Sequence, residues 1–522
     1  MSEAHSTPLG QSSTPWQSGG PSEVAARVID AFENAVRSAS PKQGLMLSGD
    51  TPLFELGIDS LKQLEIVSRI QDEFNVRIPE DRLYDIETCG DVATAIEHQL
   101  QAKTSETTTA GRPAVEPTKI RDSFQDLPEY RRLRSRIDML EAAGCENPFF
   151  AVHDAIKGSR THLEGRELID FGRFNYLGMA GDPTVNEAAK RAVDHYGTSV
   201  ASSRLVSGTT ALHREVEQTL ADFLGVDDAL VFSSGFVTNA TIVAQLVGAD
   251  DLILHDELIH HSIVTGSQLS SAERLSFPHN DWQALDEMLE RRRNDFRRVL
   301  IAVEGVYSMD GDYPELPQFV EVKKRRRAML MLDEAHSVGT MGGTGRGVCE
   351  LQGVDPRELD VRVGTIGKAL GGAGGFVCGS AALIEYLKYT CPGIIFSTAL
   401  APPCAAAALA AIRLLEKEPQ RVATLGERAA YFLKLARQRG FNVGSSEGTP
   451  IIPVILGSSI LALKASQGML ARGYNVPPIL YPAVEEERAR LRFFISARHS
   501  EQEIESAVEQ LAEVLEELQD AS

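Results

Sequence analysis

The chain has 522 residues, a net charge of −21 and a pI of about 5.1. With 43% apolar and 24% charged residues it has the composition of a globular protein, long enough for roughly two to four domains. The acidic balance argues against nucleic acid as the main partner, because a phosphate backbone is neutralised by Lys and Arg. The cysteines, Cys89, Cys145, Cys349, Cys378, Cys391 and Cys404, form no CxxC pair and read as free thiols of a reducing compartment. Residues 1–20 have neither the basic nor the apolar region of a signal peptide, and no run reaches the roughly 18 apolar residues of a membrane span. A cytoplasmic protein is therefore expected.

In chain order, residues 1–20 are rich in Ser, Thr, Gly and Gln and read as disordered. Residues 21–100 read as a small helical unit. Pro21 opens an amphipathic helix through SEVAARVIDAFENAV. A second helix places Leu61, Leu64, Val67, Ile70 and Phe74 at three- and four-residue steps, and a last one carries Val92, Ala95, Ile96 and Leu100. Residues 101–120 are polar and Ser/Thr/Pro-rich, the composition of a flexible linker.

Beyond a segment 121–174, the pattern over 175–400 alternates short β-rich runs (ALVFSS, RVLIAVEG, AMLMLDEA, FVCGS) with helical stretches. That alternation predicts an α/β fold with a large, mostly parallel sheet, its functional residues at the carboxyl ends of the strands. Residues 401–522 read as a smaller α/β domain closed by a helix with Ile504, Val508, Leu511, Leu515 and Leu518 on one face.

Within the first unit, Leu56-Gly57-Ile58-Asp59-Ser60-Leu61 has the form of an acyl-carrier motif. The same string also reads as a plain helix start with Asp59 as N-cap. A carrier needs a hydroxyl at an exposed helix N-terminus, where the dipole also favours the phosphate that is attached. Residues 21–100 hold 15 acidic and 7 basic residues, a net of −8. Acidic residues on the second helix (Glu65, Asp72, Glu73) give partner enzymes an electrostatic handle. The unit resembles polyketide-type acyl carrier proteins, which implies Ser60 as the 4'-phosphopantetheine attachment site and a phosphopantetheinyl transferase as a partner.

Four features of the second part form a constellation. Lys368 lies in the small-residue string Gly364-Thr365-Ile366-Gly367-Lys368-Ala369, where an amine can form an imine with an aldehyde cofactor. A P-loop is excluded, because Arg362 and Ala369 stand where that motif needs Gly and Ser or Thr. Asp333-Glu334-Ala335-His336 ends an apolar run, and a carboxylate there can keep a pyridine nitrogen protonated. Ser233-Ser234-Gly235-Phe236 reads as a strand end turning into a helix, a seat for phosphate. His260-His261-Ser262 offers a ring to stack on a flat cofactor. Adjacent histidines point apart and no carboxylate lies at ligand spacing, so no metal is expected.

Taken in order, NYLG at 175–178, SSR at 202–204, SSGFVTN at 233–239, EGVYSMDGD at 304–312, DEAH at 333–336, GTIGKALGGAGG at 364–375, FSTAL at 396–400 and RLRFFISARHS at 490–500 resemble the α-oxoamine synthases. That family, in the class II pyridoxal-phosphate aminotransferase superfamily, includes 8-amino-7-oxononanoate synthase, 5-aminolevulinate synthase, serine palmitoyltransferase and 2-amino-3-ketobutyrate ligase. The resemblance implies a fold type I homodimer that binds pyridoxal 5'-phosphate. It implies Lys368 as the imine-forming lysine, Asp333 as the partner of the pyridine nitrogen, and His336 and Ser308 on the phenolic oxygen. His260 would stack on the ring, and Gly235, Phe236 and Thr365 would hold the phosphate, with Thr398 reaching across from a second subunit. Arg492, assisted by Asn175, would pair with the substrate carboxylate.

The sequence has His261 where the family often has alanine, and the N-Y-L-G form in place of N-D-Y-L-G. The implied reaction is a decarboxylative Claisen-type condensation of a small amino acid with an acyl thioester on phosphopantetheine. It yields an α-amino ketone and frees the chain in a polyketide or fatty-acyl pathway, downstream of an acyl-loading enzyme or synthase. Transamination of a carrier-bound β-keto acyl group is the alternative.

Overall fold

The computed structural model describes residues 26–30, 70, 74, 76, 78, 88–105, 123–142, 144–481 and 483–520. The chain divides into two compact units, Met1–Arg131 and Arg132–Ser522. In the first, residues 26–30 are helical, and Val28, Ile70, Phe74, Val76 and Ile78 are buried. The helix Cys89–Ser105 starts with reciprocal bonds: Asp91 N–H donates to the Thr88 hydroxyl (3.1 Å) and Thr88 N–H to the Asp91 carboxylate (2.9 Å). Its inner face buries Val92, Ala93 and Ile96. The helix runs through 101–105, which the sequence reading gave to the linker; a good cap and a run from Asp91 onward without Pro or Gly carry it on to Ser105. The motif around Ser60 lies outside the described residues.

The second unit begins within the helix Pro128–Ala142 and continues with an antiparallel ladder of β1 (His153–Lys157), β2 (Arg160–Leu163) and β3 (Arg166–Asp170). A seven-stranded sheet follows, built from β4 (Asp228–Phe232), β5 (Asp251–Asp256), β6 (Glu273–Phe277), β7 (Arg298–Glu304), β8 (Met329–Asp333), β9 (Val361–Thr365) and β10 (Gly375–Gly379). The spatial order is β4-β10-β9-β8-β7-β5-β6, parallel except for β10, which runs against both neighbours. Its middle strands read as near-continuous apolar runs because both faces are covered. Leu252, Val299, Ile301 and Leu332 pack to one side with Leu285 and Phe319. Ile253, Leu300, Ala302 and Met331 pack to the other with Ile242, Ile263 and Leu387. The period of two thus loads both faces, and Asp256, Glu304 and Asp333 end three parallel strands at one edge of the sheet.

The C-terminal part contributes β11 (Ile451–Ile455), β12 (Tyr474–Asn475), β13 (Pro478–Ile479) and β14 (Arg490–Phe494), with sheet order β11-β14-β13. β12 pairs in parallel with β3. Part of the segment 121–174, read from sequence as separate, therefore belongs with the C-terminal region, a pairing between residues about 300 positions apart that no local pattern announces. The last helix, Glu501–Asp520, buries Ile504, Val508 and Leu511, the stripe its periodicity predicts.

Behind the sheet edge, His279 Nδ1 meets Asp256 Oδ1 at 2.9 Å and Nε2 meets Asp312 Oδ2 at 3.0 Å. Burial alone would depress this imidazole, but the two carboxylates outweigh it and raise its pKa to about 10. A pKa raised above the unfolded value of 6.5 contributes stability that is full below that value and lost as pH climbs toward about 10. The urea midpoint of His279→Gln should therefore lie well below wild type at about pH 6 and approach it at about pH 9. An equal gap at both pH values would show that His279 is uncharged in the fold.

Candidate active site

Lys368 follows β9 through a turn fixed by Thr365, whose hydroxyl accepts from Gly367 N–H (3.1 Å) and donates to the Gly374 carbonyl (3.0 Å). Its ammonium lies 2.7 Å from His336 Nε2, and His336 Nδ1 lies 2.8 Å from the buried Tyr176 hydroxyl. Burial pushes the Lys368 pKa down to about 8, with Asp333 and Glu304 pulling against it and Arg492 adding to the fall. A substantial neutral fraction at physiological pH is what an imine-forming amine needs. Burial, with the neighbouring Lys368 and Arg492 charges, holds His336 well below the ordinary imidazole range, so it stays neutral.

Asp333 ends β8 directly across from Glu304 at the end of β7. Its Oδ1 accepts from Ala335 N–H (2.9 Å) and its Oδ2 from Asn239 Nδ2 (2.7 Å). Burial drives the Glu304 carboxyl well above the usual range and the neighbouring Asp333 adds to the effect, so Glu304 is held as a neutral acid. His260 is the N-cap of the helix His261–Leu269, with Nδ1 held by the Ser262 hydroxyl at 2.7 Å and by Ser262 N–H at 3.3 Å. The residue as a whole is exposed. Burial of its held edge lowers its pKa against the pull of Asp333.

The helix Gly235–Leu246 begins at Ser234 with no side-chain cap, which leaves its first N–H groups available to an anion. A Cβ on Gly235 would stand 3.3 Å from Thr365 Oγ1, and one on Gly375 only 2.7 Å from Gly235 Cα. Glycine at both positions lets the helix start press against β10 and the Lys368 turn. Phe236 is exposed beside it.

Arg492, on β14, reaches the same cleft. Its Nη1 donates to the Ser308 carbonyl (2.8 Å), its Cζ lies 4.6 Å above the Phe494 ring, and its buried Nε has no partner. Burial lowers its pKa to about 10, which leaves it charged. Phe494 stacks on His336 at 6.4 Å and meets Tyr176 and Phe174 edge-on, closing one wall.

Asn175 uses both ends of its amide on Ala180, accepting from its N–H (3.1 Å) and donating to its carbonyl (3.0 Å). Ser308 meets Arg492 through its main chain. Thr398 is exposed and bridges to Ser203. His261 is exposed, and its Nδ1 lies 3.2 Å from the Thr265 hydroxyl. Tyr176, Asn239, Glu304 and Phe494 were not singled out from sequence. Each lies inside a string that was (NYLG, SSGFVTN, EGVYSMDGD, RLRFF), so the strings were informative where the single residues were not.

An imine-forming lysine, a carboxylate aimed from a strand end, an uncapped helix start and an orphaned guanidinium nitrogen together fit pyridoxal phosphate and an amino acid carboxylate. The fold and site define a fold type I pyridoxal-phosphate enzyme. The family model "Aminotransferase class I and II" matches residues 166–511, and "Phosphopantetheine attachment site" matches residues 31–96. The chain is 38% identical over 386 residues to 8-amino-7-oxononanoate synthase of Symbiobacterium thermophilum, covering 74% of this chain and 98% of that protein. It is 41% identical over 364 residues to 8-amino-7-oxononanoate synthase of Geobacter sulfurreducens, covering 69% and 92%. The solved structure of Sphingomonas wittichii serine palmitoyltransferase matches with a TM-score of 0.73 at 32% identity, covering 76% of this chain and 99% of that one. The chain belongs to the α-oxoamine synthases, pyridoxal-phosphate-dependent acyltransferases, and carries a phosphopantetheine attachment domain ahead of the synthase.

Replacing Lys368 with Ala should remove the visible imine absorbance of the bound cofactor and abolish turnover. Arg492→Lys should raise the KM for the amino acid by about tenfold or more while moving kcat less, because an ammonium cannot pair with a carboxylate in the bidentate way. Steady-state kinetics on the two variants check both.

Proposed function

We propose that this enzyme condenses a small amino acid with an acyl group carried as a thioester on its own phosphopantetheine arm at Ser60. The products are an α-amino ketone, CO2 and the free carrier thiol, so the step doubles as chain release in a polyketide or fatty-acyl route. The observation that carries the reading is the fusion itself: an attachment domain and an α-oxoamine synthase occupy one chain.

Bound pyridoxal phosphate supplies an aldehyde for exchange with the substrate amine and a ring that accepts electrons from the substrate Cα. The residues of the chain do the rest. Lys368, with its pKa of about 8, would be available as a free amine to take the Cα proton. Arg492, charged and close to Lys368 and His336, would orient the amino acid by its carboxylate. Asp333 would hold the pyridine nitrogen, His260 would stack on the ring, and His336, placed by Tyr176, would hydrogen-bond the phenolic oxygen. As the new C–C bond forms the thioester C–S bond breaks and the carrier thiol leaves; the carboxyl group then departs as CO2, and the electron pair it leaves at Cα takes up a proton.

A second subunit supplying Thr398 completes this reading. In support, Phe396 is 85% and Val206 81% exposed beside the Ser203–Thr398 bridge, an apolar surface of the kind that a partner covers.

Ser60→Ala separates the two halves. The variant should still exchange the Cα proton of the preferred amino acid with solvent at the wild-type rate. It should release no ketone and no CO2 when a phosphopantetheinyl transferase and an acyl donor are supplied. Wild-type product formation by Ser60→Ala would refute the tethered reading, and amine transfer to a β-keto acyl carrier without CO2 would establish transamination instead.

A further inference from the structure

Asn239 lies on the helix that begins at the uncapped Ser234, is 5% exposed, and touches two functional groups with one nitrogen. Nδ2 donates to Asp333 Oδ2 at 2.7 Å and to Ser262 Oγ at 2.9 Å. Ser262 is fully buried, and its hydroxyl lies 2.7 Å from His260 Nδ1. The direction of every bond in this row follows from chemistry. An amide nitrogen only donates, so both Asp333 and Ser262 must accept. The Ser262 oxygen then has one hydrogen left, and it points at Nδ1. His260 Nδ1 must therefore be an acceptor, with the ring proton on Nε2. The reversed amide is ruled out by charge, since Oδ1 against the Asp333 carboxylate would set two acceptors at 2.7 Å.

We infer that Asn239 is a positioning residue that sets the protonation of both faces of the cofactor site, holding Asp333 ionised and, through Ser262, His260 neutral. The inference rests on the reading of Asp333 as partner of the ring nitrogen and of His260 as the stacking ring. The two effects serve one end. A charged imidazolium over a protonated pyridine ring would place two positive charges face to face in a partly dry cleft. A protonated Asp333 would let the ring nitrogen lose its proton and with it the capacity to accept electrons. One amide prevents both. The ordinary alternative is that Asn239 only ties the helix to the sheet.

The test uses holoenzyme of wild type, Asn239→Ala, Asn239→Asp, Ser262→Ala and Asp333→Ala. Two readouts are followed: the pH titration of the visible cofactor absorbance without substrate, and solvent exchange of the amino acid Cα proton as kcat and KM. Asn239→Ala and Asn239→Asp should move the absorbance midpoint by about one unit and lower kcat for exchange by about tenfold, the factor that one unit represents, with KM within about twofold. Ser262→Ala leaves the Asp333 bond in place and should alter the kcat–pH profile of exchange with a smaller change in the absorbance midpoint.

Wild-type midpoints and pH profiles in the Asn239 and Ser262 variants, with only a lower melting temperature, would overturn the inference. If Asn239→Ala fails to hold cofactor, Ser262→Ala decides by the same criterion. Asp333→Ala separates the underlying reading: if it too behaves as wild type, the assignment of Asp333 is wrong and the inference falls with it.

Discussion

Arg362 sits on the central strand β9 with 1% of its surface exposed, and its Nη2 meets Glu334 Oε1 at 2.7 Å. A guanidinium in that position is stable only if it is paired and hydrogen-bonded. Arg362 also donates to the carbonyls of Leu224 and Arg346, and Glu334 accepts from Val348 N–H (3.1 Å) and from the Ser337 hydroxyl. The pair thereby pins the residues immediately after Asp333. A Cβ on Gly347 would lie 2.0 Å from the Glu334 carboxylate, so the loop 337–347 folds over this pair only with glycine there. Asp333 and His336 flank Glu334 in the chain, and the direction of both side chains into the cleft follows from how Glu334 is held.

From that fixed turn, the electrostatics of the cleft follow. Asp333, Glu304, Lys368, His260, His336 and Arg492 share a small region of low dielectric, where neighbouring charges are felt strongly. Charge is kept on Arg492, which rests on a carbonyl and an aromatic face, while two N–H donors hold the Asp333 carboxyl from behind. Charge is withheld on Glu304, His260 and His336, because burial favours the neutral form of each. Lys368 lies between these extremes at about 8, poised to exist as ammonium or amine as the reaction requires.

The parts of this arrangement that were legible in the sequence are those in which one residue type meets one local need. Lys368 among small residues, Asp333 after an apolar run and the glycine-bearing helix start at Gly235 all advertise themselves within a few positions. The parts that were not legible depend on partners distant in sequence. Asn239 looks like any polar residue in a helix until Asp333, 94 positions away, is seen at 2.7 Å. Glu304 reads as the end of a strand, and only the assembled sheet, which buries it and sets it opposite Asp333, makes it an acid held neutral. Asn175 was named from its motif alone, and its bonds to both backbone groups of Ala180 are the local habit of a short polar side chain at a turn.

If the acyl group arrives on a tether, the demands on the cleft change. A free acyl thioester must be bound through its handle, with affinity enough to hold it at working concentration. A thioester fixed to the same chain is present at an effective concentration of about the millimolar range whatever its intrinsic affinity. Binding energy at the cleft can then go to the groups that react, the amino acid carboxylate at Arg492 and the carbon next to Lys368, rather than to the carrier. Selection between acyl chains would fall to whatever loads Ser60, and the synthase would discriminate chiefly between amino acids.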